Sequence, residues 1–301
     1  MKIKMTKDDI IFDSIKVVML LFLCVITLYP FVNTLAIALN DPMDTIRGGI
    51  NLLPRKFSLV NFEDVLKDEF LGIAFLNSTF RTVIASIVQT FCTAMVAYSL
   101  ARKKFVLRVP IAVIYVITMY VDGGLIPTYF LFRKLSLINN FHVYWIPGLT
   151  TAWNMLVIRT YMKGLSDSLI ESAEMEGAND FWIFIKIILP LSIPVLATIV
   201  LFTAVWQWNY WFDTFIFNSS NINLTTLQYE LMKKVQSANA AIGNTSMSDV
   251  FSKAANQSGS MVTPRSLRAA MTIIVSLPII MVYPFLQRYF VTGLSIGGVK
   301  E

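Results

Sequence analysis

Residues 193–217 read IPVLATIVLFTAVWQWNYWFDTFIF, an apolar run whose only charged side chain is Asp213. A helix needs about 20 mostly apolar residues to cross the hydrocarbon core of a bilayer. The whole chain has the same character, because 55% of its 301 residues are hydrophobic and only 15% are charged. Soluble domains are about a quarter charged, so this composition predicts a protein whose solvent is largely lipid.

The sequence predicts an all-α, polytopic membrane helical bundle with six transmembrane helices. The other five predicted spans are residues 15–39, 80–100, 110–132, 143–158 and 269–291, and Pro147 and Gly148 interrupt the fourth. We expect one transmembrane domain over residues 1–301, with its core at about 70–295 and the N-terminal tail and first span at 1–40. The net charge of +6 fits basic cytoplasmic loops better than nucleic-acid binding. No metal or catalytic site is expected, because His142 is the only histidine and the two cysteines lie in apolar runs.

The loop after the second predicted span sets the expected orientation. It contains Arg102, Lys103, Lys104 and Arg108 with no acidic residue among them, a pattern typical of a cytoplasmic loop. Six spans then place both termini in the cytoplasm. Residues 40–79 and 218–264 become extracytoplasmic segments, and residues 159–192 become a cytoplasmic loop.

The cytoplasmic loop contains the sequence SLIESAEMEGANDFWIFIKIILPLSIP at residues 168–194. Ser168 and Glu171 have capping-box spacing, which predicts a helix from Leu169. Gly177 is suited to end that helix in a left-handed conformation, and Asn179 or Asp180 to cap the next one. The second helix is predicted to end at Pro190, with an apolar face formed by Phe181, Phe184, Ile185 and Ile188. This helix–turn–helix, residues 168–190, is here called the elbow, and it is suited to bind a cytoplasmic partner.

The elbow also carries a family resemblance. Glu171-Ser172-Ala173, Gly177-Ala178 and Ile188-Leu189-Pro190 resemble the EAA loop of binding-protein-dependent ABC permeases, which reads E-A-A, three residues, G, nine residues, I-x-L-P. Ser172 replaces the first alanine of that motif, and Glu176 stands where aspartate is usual. Residues 123–129, 206–209 and 297–300 resemble permeases of the carbohydrate-uptake type, similar to the smaller maltose-transporter permease and to complex-oligosaccharide permeases.

The resemblance implies a permease subunit of an ATP-driven importer for carbohydrate, in particular oligosaccharide, in a bacterial cell membrane. It implies four partners: a second homologous permease, an ATPase dimer that binds ATP and Mg, an extracytoplasmic solute-binding protein that contacts residues 218–264, and the sugar itself. The chain has no phosphate-binding G-x-x-x-x-G-K-[ST] loop, so neither a cofactor nor an enzymatic activity is expected in it. The residues implied to couple to the ATPase are Glu171, Ser172, Ala173, Glu176, Gly177 and Ala178. Taken alone, Ser168 and Glu171 are equally explained as helix caps, and residues 218–264 as a solvated loop.

The predicted substrate path consists of Trp208, Asn209 and Phe212, with Asp122 as a further member. Aromatic rings stack on the C–H faces of sugars, and amides and carboxylates bind their hydroxyls. The alternative for the aromatic residues is a belt at the membrane interface, and the alternative for Asp122 is helix capping. Two other function classes also stay open. They are an ABC permease for another small solute and a secondary transporter, although the latter favours charges deep within its spans, which are nearly absent here.

Overall fold

The computed structural model describes residues 7–244 and 262–296, and the regular elements within these ranges are helices. The predicted all-α bundle is therefore confirmed. In chain order the α-helices are α1 (Lys7–Ala38), α2 (Pro42–Ile46), α3 (Val60–Leu66), α4 (Glu69–Ala101), α5 (Arg108–Ile117), α6 (Leu125–Lys134), α7 (Ala152–Lys163), α8 (Asp167–Met175), α9 (Asp180–Ile183), α10 (Leu189–Leu191), α11 (Ile193–Asn209), α12 (Leu227–Asn244) and α13 (Pro264–Ile296). Short 3-10 helices occupy Phe141–Tyr144 and Ile222–Leu224, and π-helical turns occupy Phe184–Ile188 and Thr214–Asn218.

Three helices in the described ranges are long and apolar enough to cross a membrane. They are Ile11–Ala38 of α1, all of α4, and Pro264–Val282 of α13. A fourth span results if the segments Asp180–Leu191 and Ile193–Asn209, which meet at an angle of 81°, are counted together. These helices cover four of the six predicted spans at least in part.

The predicted spans 110–132 and 143–158 are not single helices. The first is divided between α5 and α6, because the chain leaves the helical conformation between Ile117 and Leu125. Gly124 has a φ of +80°, which an α-helix cannot contain. The second is divided between the 3-10 helix at Phe141 and α7, which begins only after Pro147 and Gly148.

The chain folds as two compact units, one comprising Met1–Glu69 and Leu231–Leu277 and the other Phe70–Glu230 and Pro278–Glu301. In the first unit the segment after α1 is built around Asn40, which is fully buried. Its Oδ1 accepts bonds from the backbone N–H groups of Arg55 at 2.8 Å and Lys56 at 3.0 Å, and its Nδ2 donates to Asp44 Oδ2 at 3.1 Å. The segment after α1, which the sequence predicts to be extracytoplasmic, therefore begins with a folded turn.

The core of the second unit joins α4, α7, α8, the turn at Phe184–Ile188 and α11. Small side chains on α4 let the neighbouring helices approach closely. Fully buried members of this core are Ala94, Ala97, Met155, Ile158, Ile183 and Ile199. Ile170 and Ala173 of α8 belong to the same cluster, so the elbow is packed onto the core of this unit.

Part of the predicted outer loop 218–264 is also folded. Asn77 on α4 donates its side-chain amide to the carbonyl groups of Asn223 at 2.7 Å and Thr225 at 2.9 Å. Leu227, the first residue of α12, donates its N–H to Ser78 Oγ at 2.8 Å. Residues 245–261 of this loop, the motif at 297–300 and the N-terminal residues 1–6 lie outside the described residues.

Candidate functional site

The first helix of the elbow starts two residues earlier than the sequence predicted. α8 begins at Asp167, with Ser166 at the cap position and no side-chain capping bond. The expected capping box of Ser168 and Glu171 is therefore wrong, because Ser168 lies inside the first turn. Its hydroxyl oxygen lies 2.7 Å from Ser166 Oγ. Glu171 is left exposed on the helix surface.

The turn of the elbow has the predicted geometry. Gly177 has a φ of +84°, the left-handed conformation expected at the end of a helix. The N–H of Ala178 donates to the carbonyl of Ala173 and the N–H of Gly177 to that of Glu174, both at 3.0 Å, which is the Schellman pattern. Asn179 caps α9 by accepting the N–H of Trp182 at 2.8 Å, as predicted. The elbow is therefore closed by local hydrogen bonds.

The second arm of the elbow differs from the predicted amphipathic helix. Phe184 and Ile188 are buried as expected, but Phe181 is 64% exposed and Ile183 is buried instead. A π-helical turn at Phe184–Ile188 changes the residue spacing, so a period of 3.6 does not describe the buried face. Pro190 does not end the arm, because it lies in the first turn of α10, where its missing N–H is not needed. The bend of 81° comes after Leu191.

The basic loop after α4 holds the elbow through ion pairs. Arg102 pairs with Glu174 and with Asp180 at 3.4 Å, Lys104 also pairs with Glu174, and Lys103 pairs with Asp167 at 2.6 Å. Hydrogen bonds from Lys104 and Arg102 hold the pKa of Glu174 below its ordinary value, and Lys103 does the same for Asp167. Sequence reasoning used these basic residues only for orientation. The opposite charges of this loop and of the elbow could have predicted these ion pairs from the sequence.

The predicted coupling residues divide into an exposed and a packed group. Ala173 is 7% exposed and lies in the core, and the partly buried Ala178 packs against the same cluster. The exposed group consists of Glu171, Ser172, Glu176 and Gly177. Met175 belongs with them because it is 88% exposed, although the sequence did not single it out.

The predicted path residues differ in burial and in contacts. Trp208 is buried edge-on against Phe75, with ring centroids 6.2 Å apart, and lines an apolar groove of about 260 Å³ beside α4 and α13. Asn209 is exposed, and its amide donates to the carbonyl of Val205 at 2.9 Å in its own helix. Phe212 packs against the ring of Trp211. The wall of three residues expected from the sequence therefore stays a prediction.

Asp122 has a local structural contact. Its Oδ1 accepts the N–H of Gly124 at 3.1 Å, immediately before α6 begins at Leu125. It is a turn contact before the helix rather than a helix cap, because Gly124 is the cap residue of α6 and no side chain caps this helix. The carboxylate of Asp122 remains exposed.

A buried ion pair that the sequence analysis did not predict fixes the end of α11. Arg81 on α4 is 1% exposed and donates to both carboxylate oxygens of Asp213, at 2.8 and 3.2 Å. It also donates to Gln207 Oε1 at 2.9 Å and to the carbonyl of Tyr210 at 3.1 Å, and it lies 4.5 Å from the centre of the Tyr144 ring. Ionisable residues within membrane helices pair with one another, so the presence of one Arg and one Asp in two apolar runs could have predicted this pair from the sequence.

Residues 97–296 match the family of binding-protein-dependent transport system inner membrane components. The chain belongs to this family. It is therefore a membrane protein and a subunit of a transport system that works with a binding protein, and not itself an enzyme.

Similar proteins cover almost the whole chain. The polygalacturonan/rhamnogalacturonan transport system permease protein YtcP of Bacillus subtilis is 30% identical over 96% of this chain and 98% of its own length. The arabinooligosaccharides transport system permease protein AraQ of Halalkalibacterium halodurans is 25% identical over 93% of each chain. A chain in the crystal structure of a bacterial ABC transporter involved in the import of the acidic polysaccharide alginate superposes with a TM-score of 0.82 at 25% identity, covering 96% of this chain and 100% of that one.

Proposed function

We propose that this family member is a permease subunit of an ABC importer that translocates oligosaccharide delivered by an extracytoplasmic binding protein. The observation that carries the sugar assignment is the likeness, over nearly the full chain, to permeases named for oligosaccharides and polysaccharides. A second homologous permease and an ATPase dimer complete the proposed assembly, and the ATPase binds the ATP and Mg that this chain does not.

The elbow is the proposed coupling point to the ATPase. Its surface is formed by Glu171, Ser172, Met175, Glu176 and Gly177, all exposed. The surface is held rigidly, because the ion pairs of the basic loop and the core packing of α8 fix its position. A rigid element transmits a push from a partner to the helices beyond it, and α11 follows directly after the elbow and its bend.

The proposed orientation places the elbow and both termini in the cytoplasm. The basic loop 102–104 has the composition of a cytoplasmic loop, and its ion pairs with Glu174 and Asp167 put the elbow on the same side. Residues 218–264 then face the binding protein. Asn209, Phe212 and Asp122 are the proposed sugar contacts, because their side chains are not fully buried. The buried Trp208 is proposed to support them.

Charge reversal of the elbow tests the coupling proposal. Glu171→Arg in the assembled transporter should remove the ATPase stimulation that loaded binding protein produces, while assembly stays intact. Glu63→Arg is the matched control, since Glu63 is an exposed glutamate outside the elbow. Unchanged stimulation in Glu171→Arg, or equal loss in both variants, would contradict the proposed coupling point.

Uptake measurements test the substrate class. A strain without this subunit should lose uptake of labelled oligosaccharides prepared from pectin, alginate or arabinan, and should keep uptake of amino acids and phosphate. The opposite pattern would favour a permease for another small solute. Loss of uptake of only one oligosaccharide class would identify the substrate.

A further inference from the structure

A basic cavity lies beside the elbow, where α4 ends and α5 and α7 approach it. It has a volume of about 450 Å³. Its lining contains three acidic side chains, Asp167, Glu171 and Glu174, and six basic ones, Arg102, Lys103, Lys104, Arg108, Arg159 and Lys163. The cavity is therefore strongly positive.

The excess charge comes from three basic residues that the ion pairs of the elbow do not neutralise. Among the described residues, Arg108, Arg159 and Lys163 have no acidic partner within salt-bridge distance. Arg159 is oriented by a bond from its Nε to the carbonyl of Leu100 at 3.0 Å. The three residues lie close together, because all of them line the one cavity. In agreement, repulsion by Arg159, then burial, then repulsion by Arg108 lower the pKa of Lys163. Such a cluster of positive charges is suited to bind an anion.

The surroundings of the cavity are apolar and face outward. Val106 is 88% exposed, Val109 58% and Val113 50%, and all three lie on or just before α5. In a membrane protein such side chains contact acyl chains. An anion that carries hydrocarbon chains would contact both the basic cavity and the exposed valines, whereas a free phosphate ion would contact only the cavity.

We propose that this cavity binds the phosphate headgroup of an anionic phospholipid, with the acyl chains lying along the exposed face of α5. Basic pockets at the ends of membrane helices bind such headgroups, and each Lys or Arg near a membrane surface contributes roughly fivefold to the binding constant. Arg108 and Lys163 are the main determinants of headgroup binding. Arg159 already donates to the carbonyl of Leu100, and the other three basic residues pair with acidic side chains. Bound lipid would hold the ends of α4, α5 and α7 together next to the elbow.

Native mass spectrometry of the delipidated full chain in detergent tests this site. The chain is titrated with phosphatidylglycerol, with phosphatidylcholine of the same acyl chains, and with inorganic phosphate. Phosphatidylglycerol should bind most tightly, and Arg108→Gln with Lys163→Gln should weaken it about 25-fold. Arg108→Lys should keep most of the affinity. The matched control is Arg133→Gln with Lys134→Gln, two exposed basic residues at the end of α6.

Three results would overturn the proposal. The first is equal binding of the anionic and zwitterionic lipids. The second is equal loss of phosphatidylglycerol binding in the paired variant and in its control. The third is binding of inorganic phosphate as tight as that of the lipid, which would make this a site for a soluble anion. Elution of each variant at the wild-type volume shows that altered binding is not a folding defect.

Discussion

Replacing Arg81 by methionine should destabilise the protein severely. The methionine fills much of the space of the arginine stem but leaves the carboxylate of Asp213, which is 8% exposed, without its cation. Asp213 would keep the N–H of Thr214, at 2.8 Å, as a hydrogen-bond donor. Gln207 and the carbonyl of Tyr210 would lose their guanidinium contacts as well.

The magnitude follows from the burial of the pair. Removing one member of a buried ion pair costs about 3–5 kcal/mol, because the other charge stays buried and uncompensated. For a chain of this size class, 1 kcal/mol lowers Tm by about 2–4 °C, so a decrease on the order of 10 °C is expected. Asp213→Asn should lower the stability less, because the guanidinium keeps its hydrogen bonds to Gln207 and to the carbonyl of Tyr210. The double variant should lose about 1–3 kcal/mol less than the sum of the two single variants.

Thermal unfolding in detergent, followed by tryptophan fluorescence at one fixed heating rate, measures these differences. Arg133→Met is the control, since Arg133 is exposed and should change stability by at most about 0.5 kcal/mol. If Arg81→Met unfolds within 2 °C of the wild type, or if the two single effects are strictly additive, then the pair does not stabilise the end of α11 as argued.

Three further predictions concern the elbow and the packing of α4. Glu174→Gln should speed backbone hydrogen exchange in α8, whereas Glu171→Gln should not, because Glu174, unlike Glu171, pairs with the basic loop. The difference between Glu174→Gln and the wild type should be full above the ordinary carboxyl pKa of about 4.3 and vanish as the pH falls through the lowered pKa of Glu174. Gly177→Leu should lower stability by about 1–2 kcal/mol in thermal unfolding and Gly177→Asn by clearly less, since asparagine tolerates a φ of +84°; equal effects would contradict the conformational explanation. Gly148→Ala should destabilise, because the new Cβ would lie 2.6 Å from Gln89 Nε2, whereas Gly72→Ala meets nothing within 4 Å and should stabilise by about 0.5–1 kcal/mol; the reverse order of Tm values would refute this.

The ion pairs of the elbow connect its structure to its proposed role. Glu171 and Glu174 lie three residues apart on α8, yet one is exposed and the other holds the loop after α4. The ion pair of Glu174 with Arg102 therefore ties α8 to the end of α4. The buried pair of Arg81 and Asp213 makes the corresponding link between α4 and the end of α11.

The sequence by itself determined the features that depend on composition and on near neighbours. Apolar length predicted four of the six spans at least in part. Gly177 predicted the left-handed turn, and Asn179 was one of the two residues predicted to cap α9, because each of these acts over a few residues. The EAA motif likewise predicted the family, which the match over residues 97–296 confirms.

Only the tertiary structure decided which distant side chains meet. Arg81 and Asp213 are 132 residues apart, and Arg102 and Glu174 are 72 apart, so no local pattern could pair them. Packing also placed Ala173 in the core, left Met175 exposed, and shifted the buried face around Ile183. The physical reason is that burial and ion pairing are properties of the assembled helices, whereas capping, turns and hydropathy are properties of the chain.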